Sequence, residues 1–100
     1  MVFDVYEVKG IGDFLEKKEK NRKLYLALKE RVFLVVNPNT IEIRTDRKLG
    51  KLLEEKYESV MESRYFGKGG IEIVMSGQLK KEELDDLVRL SYNMTKEIKN

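Results

Sequence analysis

The run RVFLVVNPNTIEIRT, residues 31–45, limits the fold more than any other stretch of the chain. Its first half is apolar and β-branched almost without interruption, the pattern of a strand buried on both faces. Its second half alternates, with Ile41 and Ile43 on one face and Glu42 and Arg44 on the other, the period of a strand. Between them stand the only proline, Pro38, and two asparagines. Proline presets φ and asparagine tolerates left-handed backbone, so the chain must turn here. A central antiparallel hairpin follows. Upstream, KLYLALK alternates Leu24, Leu26 and Leu28 with Tyr25 and Ala27, which adds a third strand joined near Lys29, Glu30 and Arg31 and makes a meander. Leu24 and Leu28 are also four apart, so a helix from Asp13 through Glu30 is the competing reading.

Two amphipathic segments supply cover for such a sheet. DRKLGKLLEEKYESVMES sets Leu49, Leu52, Leu53, Tyr57, Val60 and Met61 on one stripe, with Asp46 as N-cap, and is expected to be a helix lying across the sheet. KKEELDDLVRLSYNMTKEIKN, residues 80–100, sets Leu84, Leu87, Val88, Ser91, Met94 and Ile98 at the same spacing. Glu82, Glu83, Asp85 and Asp86 suit its N-terminal dipole. Between the two, SRYF and GIEIVMSG read as strands paired across a glycine turn, with Ile71 and Ile73 alternating against Glu72 and Val74. The N-terminal part is less regular. VFDVYEV fits a short strand or an irregular arm; Asp13 fits the cap of a short helix carrying Phe14 and Leu15; EKKEKNRK fits a solvated helix face or loop, with a basic binding arm as the lesser reading.

The order of these elements predicts a single α+β domain over residues 1–100, with an antiparallel sheet of about five strands and two main helices packed on one face. One hundred residues allow one core and not two. A formal net charge of +2, from 20 Lys and Arg against 18 Asp and Glu, is too small for a chain that binds nucleic acid with its whole surface, so such binding needs local clustering. The chain has no Cys and no His. That removes disulfides, thiolate metal sites and the commonest general base and metal ligand, so an enzyme is the least expected class and no cofactor or metal is expected. No apolar run approaches the roughly 20 residues that cross a bilayer, and MVFDVYEVKG has no basic-then-apolar leader pattern, so a cytoplasmic chain without a membrane partner is expected.

The segment SRYFGKGGIE concentrates the binding chemistry. Arg64, Tyr65, Phe66 and Lys68 place two cations and two aromatics within five residues. Cations neutralise phosphates, and aromatic rings stack on bases. Arg44 at a strand end, with Arg47 and Lys48 at a helix start, extends the set. Two cations in a first helical turn oppose the macrodipole at about 0.3–1 kcal/mol each, which points to a purpose other than helix stability. The competing reading leaves Arg64 and Lys68 solvated, packs Tyr65 or Phe66 on the sheet, and uses the glycines for positive φ. GKGG lacks the glycine frame and the Ser or Thr of a phosphate-cradling loop. Adjacent carboxylates such as Glu54 and Glu55, Glu82 and Glu83, or Asp85 and Asp86 point about 100° apart on a helix and do not converge on a metal. Ser91 beside Tyr92 has no His to activate it, and reads as a small residue facing the sheet.

The span from Leu24 to Lys96 resembles the YjbR/MmcQ family of small bacterial proteins. The apolar strand RVFLVV, the segment ESRYFGKGGIEIV and the closing QLKKEELDDLVRLSYNMTK carry the resemblance, the last most specifically through its acidic start, its leucines and Ser91-Tyr92. The resemblance implies a frataxin-like (CyaY-like) α+β fold and DNA binding through a paired-wing surface. Where family members commonly carry a His and then a Trp near the turn into the last strand, this chain has Tyr65 and Ile71, so no role of those side chains carries over. The expected site is Arg44, Arg47, Lys48, Arg64, Tyr65 and Lys68, contacting a DNA backbone. The alternative is an adaptor that binds a protein partner or itself through Tyr65, Phe66 or the VFDVYEV segment.

Overall fold

The expected turn of the central hairpin is closed by the Asn37 N–H, which donates to the Thr40 carbonyl at 2.9 Å, with neither asparagine in left-handed backbone. In the computed structural model, which describes residues 3–98, the chain runs through β1 (Leu15–Lys18), β2 (Lys23–Ala27), β3 (Arg31–Val36) and β4 (Thr40–Arg44). It continues through α1 (Arg47–Lys56), β5 (Val60–Ser63), β6 (Gly67–Val74) and α2 (Lys81–Lys96). All strand pairings are antiparallel and the six strands lie in the order β1-β2-β3-β4-β6-β5. The expected meander is β2-β3-β4, and the β5-β6 pair joins it through β6.

Register places the apolar residues in rows. Leu34, Ile43 and Ile71 stand side by side across β3, β4 and β6, and Val36, Ile41 and Ile73 form the next row, with Val60 of β5 opposite Ile73. Leu34, Ile41, Ile43, Ile71 and Ile73 are wholly buried, each contributing roughly 1.5–3 kcal/mol of transfer free energy. Leu84, Val88 and Tyr92 of α2 and Leu53 of α1 join this one cluster, so both helices cover the same face. Asp46 caps α1 as expected, its Oδ1 accepting from the Leu49 N–H at 2.7 Å. Glu83 accepts from the Lys80 N–H at 3.0 Å at the start of α2, meeting one of the orphan donors of a helix start. Ser91 faces the sheet and ties α2 to it: its Oγ donates to the Phe33 carbonyl at 2.6 Å and accepts from the Arg44 N–H at 2.8 Å.

Five sequence expectations need correction. SRYF is not a strand: only Ser63 of it belongs to β5, Arg64, Tyr65 and Phe66 make the turn, and Gly69 and Gly70 lie within β6. The sheet has six strands rather than about five, because Leu15, expected in a short helix, and residues 16–18 of the charged block read as a helix face or loop form β1. All four β1 residues are exposed, so backbone pairing with β2 holds the strand and no apolar alternation marks it. Asp13 caps no helix; its carbonyl accepts from the Tyr92 hydroxyl at 2.8 Å, while Phe14 packs edge-on against Tyr25 and Phe33. The helix expected through Ser63 ends at Lys56. Val60 keeps helical spacing from Tyr57 but pairs with Ile73 instead, and the resulting strand satisfies backbone groups on β6 that a longer helix leaves open. The N-terminal segment is neither strand nor arm: Val5–Glu7 is a single 3-10 turn, and Phe3, Val5 and Val8 are buried in the main cluster. Val2 of that segment, and the expected helical residues Lys99 and Asn100, lie outside the described residues. Among the described residues no helix is long and apolar enough to cross a membrane.

Candidate nucleic-acid interface

The helix-free face of the sheet carries a second, smaller apolar cluster of Leu24, Val32 and Val35, with Leu26 and Phe66 packed against it. The turn between β5 and β6 folds over this face, and its residues form a row. Arg22 lies 5.2 Å from the centre of the Tyr65 ring, Tyr65 meets Phe66 edge-on at 4.9 Å, and Arg44 lies 4.8 Å from the centre of the Phe66 ring. Cation–π attraction holds such a row together. Arg44 also donates from Nε to the Val32 carbonyl at 2.8 Å. Burial is the main influence on its guanidinium, holding the pKa below the ordinary arginine value, with Arg31 pushing the same way and Tyr65 opposing.

Beneath the turn lie two buried carboxylates. The Glu42 Oε1 accepts from the Ser63 hydroxyl and the Tyr65 N–H, both at 2.8 Å, and its Oε2 from Asn37 at 2.9 Å. Arg64 grips Glu72 with two parallel bonds, Nε to Oε1 at 2.9 Å and Nη2 to Oε2 at 2.7 Å, and Thr40 donates to the same Oε2 at 2.7 Å. Burial pushes the Glu72 carboxyl up, but the hydrogen bonds from Arg64 and Thr40 and the Arg64 charge outweigh it and leave the pKa below the ordinary carboxylate value. Arg64 and Tyr65 border an open groove of about 830 Å³ with Lys20, Arg22, Asn37, Glu19 and Glu42. Three of its charged residues are cations and two are carboxylates, a net +1, and Glu72 behind Arg64 brings the balance to zero.

The other expected cations gather elsewhere. Arg47, Lys48 and Lys51 on α1 and Lys68 on β6 line an open concavity of about 480 Å³, with Glu54 and Glu62 as the carboxylates among the described residues that line it. Four cations against two carboxylates make a net +2. All four are exposed, and among the described residues none has a carboxylate within 4.0 Å.

The six expected site residues therefore split. Arg47, Lys48 and Lys68 come together beside α1, whereas Arg44, Arg64 and Tyr65 lie in or next to the covering row on the helix-free face. Sequence reasoning missed Lys51 and Arg22. Lys51 follows Lys48 by three residues and Arg47 by four, the spacing of one helix face, and that signal was present. Nothing local ties Arg22 to Tyr65, which is 43 positions away in the chain. Of the glycines after the turn, Gly67 at the start of β6 has the positive φ expected, +60°, while Gly70, within β6 opposite Arg44, serves close approach: a Cβ there falls 2.3 Å from the Ile43 carbonyl oxygen.

Sheet order and helix placement define an α+β domain with a six-stranded antiparallel sheet and both helices on one face. No protein-family profile and no curated protein sequence matches the chain. Among solved structures, the crystal structure of Deinococcus radiodurans protein DR2400, described as carrying the domain DUF419, has the same fold. The TM-score is 0.78 at 18% sequence identity, over 90% of this chain and 73% of that one.

Proposed function

We propose that the chain is a YjbR/MmcQ-like protein that binds the backbone of DNA through the cations beside α1, and that it performs no catalysis. The observation that carries this reading is the set of Arg47, Lys48, Lys51 and Lys68, four exposed cations around one concavity, none with an ion-pair partner among the described residues. Phosphate neutralisation with release of counterions is what such a set does well. The likeness to a DUF419 structure supports the family reading, since DUF419 and YjbR/MmcQ name one family. Arg44, Arg64 and Tyr65 are secondary in this proposal, because each already holds another part of the protein. Among the described residues the lining of the concavity has no aromatic ring and no side-chain amide, so binding is through phosphates and indifferent to base sequence. A cytoplasmic setting belongs to the same proposal.

Titration of labelled duplex and single-stranded DNA at two salt concentrations tests it. Four phosphate contacts on duplex give a slope of log affinity against log salt of about −3.6, from roughly 0.9 per contact. The pair of substitutions Lys48→Ala and Lys68→Ala lowers both the affinity and the slope, and Arg64→Ala changes them little. Absence of binding at low salt, or equal binding by the Lys48 and Lys68 variant, sinks the proposal.

A further inference from the structure

β1 is the outermost strand on its side of the sheet. All four of its residues are exposed, Leu15 at 61%. The Glu19 N–H donates to the Arg22 carbonyl at 2.9 Å. Alternation along an antiparallel ladder then turns the backbone groups of Lys17 and Leu15 toward β2 and those of Glu16 and Lys18 outward. An open row of this kind is a template for another strand. We propose that its occupant is β1 of a second copy of this chain, added antiparallel about a two-fold axis through Leu15.

The register follows by elimination. A two-fold pairing centred on Glu16, Lys17 or Lys18 sets that charged residue against its own copy, which is destabilising. Centred on Leu15, the pairing sets Leu15 against Leu15, and Asp13 of each copy against Lys17 of the other. One apolar contact is then flanked by two pairs of opposite charge, the favourable cross-strand arrangement. Leu15 turns its backbone toward β2, so it forms the closer, non-hydrogen-bonded kind of pair, while outward-facing Glu16 bonds with Phe14 of the second copy. Lys18 falls opposite Gly12, which has no side chain to oppose it. Leu15 already pairs with Leu26 in β2, so the dimer extends a leucine row across four strands. None of the cations beside α1 takes part, and the dimer stands or falls independently of DNA binding.

The chain has no cysteine, which makes single-cysteine variants a direct test. Leu15→Cys brings two thiols to a Cα separation of about 4.5 Å, within the disulfide range of about 4.4–6.8 Å, and is expected to give a covalent dimer on oxidation. Lys18→Cys places its copies roughly 20 Å apart, six residues at about 3.3 Å, and is expected not to cross-link. Light scattering on the unmodified chain should show the mass doubling as concentration rises toward millimolar. Asp13→Lys should hold the chain monomeric, and adding Lys17→Asp should restore the dimer. A mass of one chain throughout, equal cross-linking of the two cysteine variants, or failure of the double substitution to restore pairing overturns the proposal. So does a monomer that captures an unrelated extended peptide on β1.

Discussion

Glu42 and Glu72 stand directly opposite each other on β4 and β6, with only 1% and 2% of their surfaces exposed. Like charges in that position destabilise a sheet, and buried carboxylates must be hydrogen-bonded. The turn after β5 meets both demands with different chemistry. Glu42 receives neutral donors from Ser63, the Tyr65 backbone and Asn37, while Glu72 receives the Arg64 guanidinium. The segment richest in binding chemistry is therefore also the segment that closes the helix-free face.

Replacing Arg64 by Ala removes the guanidinium whose bonds and charge help to hold the Glu72 pKa down and leaves the Thr40 hydroxyl bond against burial, which pushes it up. A depressed pKa contributes stability that is present above the unfolded carboxylate value and is lost as pH falls through the folded one. The variant should therefore unfold at lower temperature than the wild type at neutral pH. The gap should narrow as pH drops through the carboxylate range and close in strong acid, where Glu72 is protonated in both. Melting curves across that range check this; a gap independent of pH contradicts it.

Ser91 bridges α2 to two strands, and Ser91→Ala leaves the Arg44 N–H and the Phe33 carbonyl without that partner. The expected cost is about 1–3 kcal/mol. Asn93→Ala, at an exposed position of the same helix, should stay within about 0.5 kcal/mol of wild type. Urea unfolding of the two variants gives the comparison directly.

The parts of the fold legible in the sequence are those with a burial rhythm. TIEIR, the leucines of α2 and the Pro38 turn each state their geometry locally. β1 could not be read because Leu15–Lys18 buries nothing, and a strand held by backbone pairing alone leaves no mark on side-chain pattern. The end of α1 was misread because Val60 satisfies helical and strand spacing equally, and only its partner Ile73 decides. For the site, Arg47, Lys48 and Lys68 are legible in the sequence, but Lys51 and Arg22 are missed and the engagements of Arg44 and Arg64 are not visible. That Glu72 occupies Arg64, while no carboxylate among the described residues pairs with Lys48 or Lys68, depends on register between strands and on the placement of α1.

Two neighbouring glycines should respond differently to the same change. Gly70→Ala drives a Cβ to 2.3 Å from the Ile43 carbonyl oxygen, a backbone atom that cannot swing away. Gly69→Ala meets nothing closer than 3.4 Å, the Phe66 carbonyl oxygen, and needs no positive φ. Gly70→Ala should lower the melting temperature markedly or prevent folding, and Gly69→Ala should change it little. Circular dichroism melts distinguish them, and equal losses would remove close approach as the reason for Gly70.

The first turn of α1 sets stability against binding. Arg47 and Lys48 face the positive end of the helix dipole, and that turn holds no acidic residue. Lys48→Glu replaces an unfavourable charge by a favourable one in a position where each is worth about 0.3–1 kcal/mol. The variant should be more stable than wild type at low salt, by an amount that shrinks as salt is added. The same substitution reverses one of four cations beside the concavity, so DNA affinity should fall while stability rises. A helix N-cap variant, Asp46→Ala, should do the reverse in stability, costing about 1 kcal/mol through loss of the bond to the Leu49 N–H, and leave all four cations in place. Measuring melting temperature and DNA affinity on both variants separates the two effects. Falling affinity in Lys48→Glu together with rising stability would show that these cations are kept for a polyanion at the helix's expense, and unchanged affinity would leave their presence without that reason.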